Sequence, residues 1–334
     1  MGWVAGHNRY VHLYLNGLYW GIYDFAERPD ANFAAAYLGG SKEDYDVIND
    51  FQLKDGKMDA FSALSSISNL GDVAHYERLK RSLDVTQYID YVLLNYYCGN
   101  QDWGENKNWY AIRRRNPPSP FQYFVWDGEQ ILHDVNDNTV DSPFEVPFRM
   151  EKELETNTEY KLAFADRVQK HCFGKGALTP QACAERWMKW AQQVDVAMIA
   201  ESARWGDYRR KPAFTRNKEW VAEQNRLLNV YFPNRTQILL RQLQAAGLYP
   251  SIAVPEVTLK ASGVPEIQLK TPHGGKIYFT TDGSDPREYG TGRIAGRATE
   301  FTDSTKPIVL EKGGILKARA LNRKTWSALT ELKM

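Results

Sequence analysis

Three residues could do chemistry together: Asp102, Asn108 and Asp127. A polar loop, Gly99-Asn100-Gln101-Asp102-Trp103-Gly104-Glu105-Asn106-Lys107-Asn108, follows an apolar helical stretch. Two strand-like runs come next, Trp109 to Arg114 and Gln122 to Trp126, joined by the turn Asn116-Pro117-Pro118-Ser119-Pro120. The second run ends in Asp127-Gly128-Glu129. Phosphoryl transfer needs one carboxylate to orient and deprotonate an attacking hydroxyl. It also needs an amide oxygen and a second carboxylate to hold a divalent cation against phosphates. Mg²⁺ is hard and takes oxygen ligands, so these residue types suit it. Asp and Asn are also the ordinary residues of turns, and on spacing alone turn chemistry is the competing reading.

The elements that must position these residues can be read from periodicity. Residues 84–98, DVTQYIDYVLLNYYC, form an amphipathic helix with Asp84 or Thr86 as its cap and Ile89, Val92, Leu93 and Tyr96 on one face. Upstream, Val11, Leu13 and Leu15 alternate with Tyr10, His12 and Tyr14 as in a half-buried strand. Asn16-Gly17 then predicts a type I′ hairpin turn, and Leu18 to Phe25 the returning strand. Short helices are expected at residues 31–38 and 56–70, and longer amphipathic ones at 153–172, 180–203, 217–230 and 233–246. Pro180 suits a first helical turn after Thr179, and Gly247 suits a helix stop. At Pro250 the texture changes to short strands, VTLKAS, EIQLKT, KIYFTTD, PIVLE and ILKARAL, the pattern of a β-sandwich.

Several motifs within this frame resemble the CotH family, the spore-coat protein H kinases. They are YVHLYLNGLYWGIYDFAERPD, NQDWGENKNWY and FQYFVWDGE, with KLAFADRVQKHCFGKGALTP and ESARWGDYR further on. The resemblance spans about Tyr10 to Tyr249. It implies an α+β fold: an atypical protein-kinase-like core with a helical extension, over residues 1–249. It also implies transfer of the ATP γ-phosphoryl group, with Mg²⁺, to Ser or Thr hydroxyls of a partner protein. Carried over by position, Asp102 resembles the catalytic Asp, and Asp127 the metal-binding Asp with Glu129 as a second acid. Asn108 or Asn106 resembles the metal-side Asn. Glu27 resembles the Glu at the end of the family's strand pair, where it would meet a Lys of the nucleotide lobe or face solvent. Family members carry an upstream stretch with a phosphate-pairing Lys; here Arg28 is the nearest substitute, and the chain reads as if that region preceded it.

Residues 250–334 form the expected second domain. KIYFTTDGSDPR resembles the turn of the chitobiase/hexosaminidase C-terminal domain, which implies an immunoglobulin-like β-sandwich whose Asp residues form turns. An alternative is a non-catalytic, pseudokinase-type surface or coat interaction protein. A third is a glycan-associated module reading sugars or envelope through Tyr278, Phe279 and Trp326.

Composition narrows the rest. A net charge of +1 supplies no field for nucleic acid. Arg113, Arg114 and Arg115 read as a solvated strand end. No stretch approaches the roughly 20 apolar residues of a membrane span, and Met1 to His7 is too polar for a leader. The family habit implies an extracellular or envelope setting. Cys98, Cys172 and Cys183 have no C-x-x-C pairing and are expected as free thiols. His133, Asp134 and Asp137 read as a surface loop, and Arg204 to Asp207 as a turn fixed by a salt bridge. No G-x-S-x-G elbow or G-x-G-x-x-G loop occurs.

Overall fold

The Asn16-Gly17 turn forms as its chemistry demands. Both residues take positive φ, 50° and 79°, and β1 (Asn8–Leu15) returns as β2 (Leu18–Ala26) in an antiparallel pair. These strands open the computed structural model, which describes residues 1–104, 106–141, 149–260, 266–271, 275–302 and 308–334. The chain continues through α1 (Ala31–Leu38), β3 (Tyr45–Asn49), β4 (Gln52–Asp55), α2 (Asp59–Ser65), α3 (Val73–Lys80) and α4 (Val85–Cys98). Then come β5 (Trp109–Arg114), β6 (Gln122–Val125), α5 (Arg149–Leu154), α6 (Thr158–Cys172), α7 (Pro180–Val194) and α8 (Ala197–Trp205). The last helices are α9 (Val221–Arg226), with π-type turns on either side, and α10 (Phe232–Ala245). The β region holds β7 (Glu256–Lys260), β8 (Glu266–Lys270), β9 (Lys276–Thr280), β10 (Thr299–Phe301), β11 (Ile315–Asn322), β12 (Thr325–Trp326) and β13 (Thr330–Lys333). The molecule is α+β, as the family resemblance implied.

The residues group into two compact units. The first comprises residues 1–68, 77–152 and 171–239. Its sheet runs β4-β3-β5-β6, all antiparallel. Phe33 and Ala34 of α1 pack with Tyr45, Val47, Tyr110, Ile112 and Phe124 of this sheet. Asp30 caps α1 by accepting from the Phe33 amide at 2.9 Å. Helix α4 is the buried axis of the unit: Tyr88, Ile89, Val92, Leu93 and Tyr96 are all at most 1% exposed. Each such side chain contributes about 1.5–3 kcal/mol on burial. Asp84, rather than Thr86, caps α4 by accepting from Gln87 N at 3.1 Å, and Gly99 ends it in the left-handed region at φ 59°.

Three expectations change here. The helix expected over residues 56–70 is only Asp59–Ser65, and the one expected over 180–203 breaks into α7 and α8. The run Arg113 to Arg115 is not a solvated end. Asp46 lies opposite Arg113 in register and is fully buried. It takes Arg113 Nε at 2.9 Å and Arg115 Nη1 at 2.5 Å, while Arg114 reaches Asp44 at 3.4 Å. A buried carboxylate needs such partners, and the two flanking guanidinium groups supply them.

The second unit comprises residues 69–76, 153–170 and 240–334. One sheet runs β10-β9-β11-β12 with β13 also on β11, and β7 pairs with β8. Ile267, Leu269, Ile277, Phe279, Ile308, Leu310, Leu316 and Ala318 form the core between these layers. Ile308 makes an isolated bridge to Ile267 where a strand PIVLE was expected; its Pro307, and residues 261 and 262 of VTLKAS, lie outside the described residues. Asp282 forms the expected turn, accepting from Ser284 N at 2.9 Å and Ser284 Oγ at 2.5 Å. Asp285 caps its turn through Arg287 N at 2.9 Å and also accepts from Arg319. Tyr278, Phe279 and Trp326 are 6%, 7% and 6% exposed, so these rings serve the core and are no open platform for sugar.

Candidate active site

The loop carrying Asp102 is pinned on both sides of that residue. Before it, the buried Asn100 donates from Nδ2 to Asn95 Oδ1 at 2.9 Å, and its Oδ1 accepts from Asp102 N at 3.1 Å. After it, the Trp103 ring is buried against Tyr91 and Tyr96 and donates from Nε1 to Tyr91 Oη at 2.6 Å. Helix α4 thus fixes the loop through its last turn and through a tyrosine two turns back.

Asn108 closes the loop. Its Nδ2 donates to the Asp102 carbonyl at 2.6 Å and to Asp102 Oδ2 at 3.1 Å. Asn108 sits at φ 68°, a left-handed conformation that Asn tolerates better than most residues. Its carbonyl accepts from Trp126 N at 3.3 Å. That bond ties the Asp102 loop to Trp126, just past β6; the following residue, Asp127, is also left-handed at φ 51°. Lys107 forms a close ion pair with Asp102 Oδ1. The Lys107 hydrogen bond, then its charge and the Asn108 amide, hold the Asp102 carboxyl below its usual range.

Asp127 behaves in the opposite way. Desolvation, the Glu129 charge, a hydrogen bond with Glu129 and the Asp102 charge all push its carboxyl up. The paired carboxylates of Asp127 and Glu129 therefore repel one another, and a cation between them relieves the repulsion. Asn108 spends its Nδ2 on Asp102, and among the described residues its Oδ1 accepts no hydrogen bond. Two carboxylates and an amide oxygen suit Mg²⁺, which uses one or two protein carboxylates and completes its shell from phosphate and water. Among the described residues no cluster of three His, Cys, Asp or Glu forms a closed metal cage.

A cavity of about 910 Å³ opens beside this centre. Its wall includes Asp127, Gly128 and Glu129, with Trp126, Tyr123, Tyr91 and Trp3 supplying aromatic surface. Glu27 is on the wall as well. Among the described residues no Lys holds it; it accepts from His7 N at 2.9 Å and from Tyr37 Oη at 2.8 Å. The His7 amide first, then Tyr37, lower its carboxyl. Arg28 lies over the Trp126 ring at 5.5 Å, outside the cavity wall. Asn106 is exposed in the turn between Gly104 and Lys107. Asp102, Asn106 and Asn108 also lie off the wall. The structure thus gathers Asp102, Asn108, Asp127 and Glu129, places Glu27 on the wall of the same cavity, and leaves Arg28 and Asn106 off that wall.

Sequence reading missed the residues that hold this arrangement. Arg235 of α10 is fully buried, and its hydrogen bonds to the described residues all go to backbone oxygens. It donates to Tyr97 O at 2.7 Å and to Tyr96 O at 2.5 Å, at the end of α4. It also donates to Val135 O at 2.9 Å and Asp137 O at 2.8 Å, in the loop beyond Glu129. Arg226 adds bonds to Leu132 O at 2.5 Å and His133 O at 2.9 Å. The acidic residues of this loop cap its own turn: Asp134 Oδ1 takes Asn136 N and Asp137 Oδ2 takes Asp134 N. No local spacing links position 235 to position 97; only its charge in an apolar helix face hints at a buried role.

Two further expectations resolve nearby. His171 is 3% exposed and its Nε2 meets Asp90 Oδ1 at 3.2 Å, while Trp3 Nε1 donates to Asp90 Oδ2 at 2.6 Å. The guanidinium of Arg204 stacks on Trp205 at 4.2 Å and on Trp20 at 4.9 Å in place of the expected salt bridge. Cys98, Cys172 and Cys183 are free thiols, and burial pushes Cys172 up to about 12. Among the described residues no helix is long and apolar enough to cross a membrane.

Comparison with known proteins agrees with this geometry. No curated protein matches the chain. The profile of the family described as Fn3 associated matches residues 267–331, within the β-sandwich. The profile described as CotH kinase protein matches residues 1–239, well over half of the sequence and all of the site. The chain belongs to the CotH kinase protein family.

Proposed function

We propose that the chain is an atypical protein kinase that moves the γ-phosphoryl group of ATP, with Mg²⁺, onto a Ser or Thr hydroxyl of a partner protein. One observation carries this reading. Asn108 touches Asp102 with its side chain and the Asp127 strand end with its backbone, so base and metal-side acid meet beside a cavity large enough for a nucleotide.

The roles follow from the electrostatics. Asp102 stays anionic because Lys107 stabilises its charge, so it orients an acceptor hydroxyl and takes its proton as the O–Pγ bond forms. The bond from Pγ to the bridging oxygen breaks, and the diphosphate leaves. Mg²⁺, when bound, neutralises charge on the transferring phosphoryl oxygens. Asp127 and Glu129 are the residues that would hold it, with the Asn108 amide oxygen. Tyr91, Tyr123 and Trp126 offer apolar surface for a base.

Calorimetry with ATP in the presence and absence of Mg²⁺ tests the reading. Mg²⁺-dependent binding is expected for the parent chain and its loss for Asp127→Ala. Retained tight ATP binding by Asp127→Ala defeats the assignment. A parent chain that binds no nucleotide points instead to a non-catalytic interaction protein.

A further inference from the structure

The cavity beside Asp127 is acidic. Asp24, Glu27, Asp90, Asp127 and Glu129 all stand on its wall, while Arg186 of α7 is the single Lys or Arg among its described lining residues. A polyphosphate entering such a cavity meets repulsion from these carboxylates. Cation charge at one end, where Asp127 and Glu129 gather, leaves the rest of the anion uncompensated.

Arg186 is held in place without being neutralised. Its Nη2 donates to Ala177 O at 3.2 Å, and its Nη1 faces Cys183 Sγ at 4.0 Å. Both partners are uncharged, and among the described residues no carboxylate pairs with it. A guanidinium has five N–H donors, so several remain for a ligand. The backbone beneath it is firm: Thr179 caps α7, Pro180 fills its first turn, and Leu178 N donates to His171 O at 2.8 Å. Arg186 also stands near the end of α4, where the Asp102 loop begins. Burial pushes the Cys98 thiol at that end up to about 12, and Arg235 and Arg186 pull against it.

Four other cations, Arg28, Lys107, Arg113 and Arg115, lie off the wall. Arg28 is stacked on Trp126 and lies off the wall, and Lys107 is paired with Asp102. Arg113 and Arg115 are spent on Asp46.

We propose that Arg186 is the phosphate-gripping cation of this site, its guanidinium fork contacting the polyphosphate of the bound nucleotide from the wall of the cavity. The assignment rests on the nucleotide reading given above. An arginine suits the role because its planar donors bind two phosphate oxygens at once.

The test is calorimetry of ATP with Mg²⁺ on the full chain and on Arg186→Ala, Arg186→Lys and Arg28→Ala, with melting temperatures measured alongside. Arg186→Ala is expected to raise the ATP Kd by about 10- to 100-fold, the usual worth of hydrogen bonds to a charged group. Arg186→Lys keeps the charge, loses the fork and falls between. Arg28→Ala binds like the parent. If Arg186→Ala melts early, the Lys variant decides, since it preserves size and charge. Equal ATP affinity in the parent and the folded Arg186 variants overturns the inference and leaves the nucleotide reading intact. A folded parent that binds no ATP overturns both.

Discussion

Asp102 and Asp127 are both carboxylates in turns, yet their surroundings drive them apart. The Lys107 hydrogen bond lowers the Asp102 carboxyl, whereas desolvation and then Glu129 raise that of Asp127. The first state suits a group that orients a hydroxyl; the second suits one that waits for a cation. On the proposed reading, Asp102→Asn keeps the shape and the Asn108 contact but removes the proton acceptor. Its expected effect is a fall of about 10²- to 10⁴-fold in turnover, with ATP affinity nearly unchanged. A γ-phosphate transfer assay beside calorimetry checks this, and a parallel loss of binding would contradict the role. A residue-scale prediction that needs no substrate concerns Asp282, which Ser284 and then Arg297 hold at about 2 against an ordinary 3.8. The folded value lies below the unfolded one. The stabilising contribution is therefore complete above 3.8 and disappears as the pH falls through about 2. Carbon NMR titration should find the Asp282 carboxyl at that low value, and Ser284→Ala should move it upward.

Elements place these residues, and their sequence signals were unequal. The Asn16-Gly17 hairpin, the Asp84 cap and the stop at Gly99 are local devices whose chemistry lies within a few residues, so periodicity and turn rules find them. The closeness of Asp102, Asn108 and the Asp127 strand end was legible for the same reason: one helix, one loop and one hairpin contain them. Arg235 was not legible, because it serves carbonyls at Tyr96, Tyr97, Val135 and Asp137 that are distant in sequence. The arginine run 113–115 misled because Asp46, its buried partner, comes from another strand. Arg235 couples the end of α4 to the loop after Glu129, so the two should loosen together. Arg235→Met strands several buried carbonyls, each at a cost of about 1–3 kcal/mol. Hydrogen exchange should rise jointly over residues 96–101 and 130–137. A rise confined to either segment would show that the arginine does not couple them.

At the scale of the whole chain, the change of texture at Pro250 is plain in the sequence, but the second unit does not start there. Residues 153–170 of the helical region fold with the β-sandwich, and buried charges hold them. Arg319, 2% exposed, donates to Asp166 at 2.6 and 2.7 Å and to Asp285 at 2.6 Å. Arg287 makes a two-point contact with Glu159 at 2.6 and 2.8 Å, both side chains 6% exposed. The Asp285 turn, read from sequence as local, is thus also one wall of an ion-pair socket for α6. Such pairs add little over a well-packed apolar contact, but removing one partner leaves a buried charge and costs about 3–5 kcal/mol. Cutting the chain after Tyr249 removes both arginines and strands Glu159 and Asp166. The fragment 1–249 should therefore melt well below the full chain and expose apolar surface to a hydrophobic dye, and Asp166→Ala in the full chain should reproduce part of that loss. Restoring only the charge balance, with Glu159→Gln and Asp166→Asn in the fragment, should recover some of the stability. A fragment that melts like the parent would mean that α6 stands without the sandwich and that the boundary lies where the composition changes.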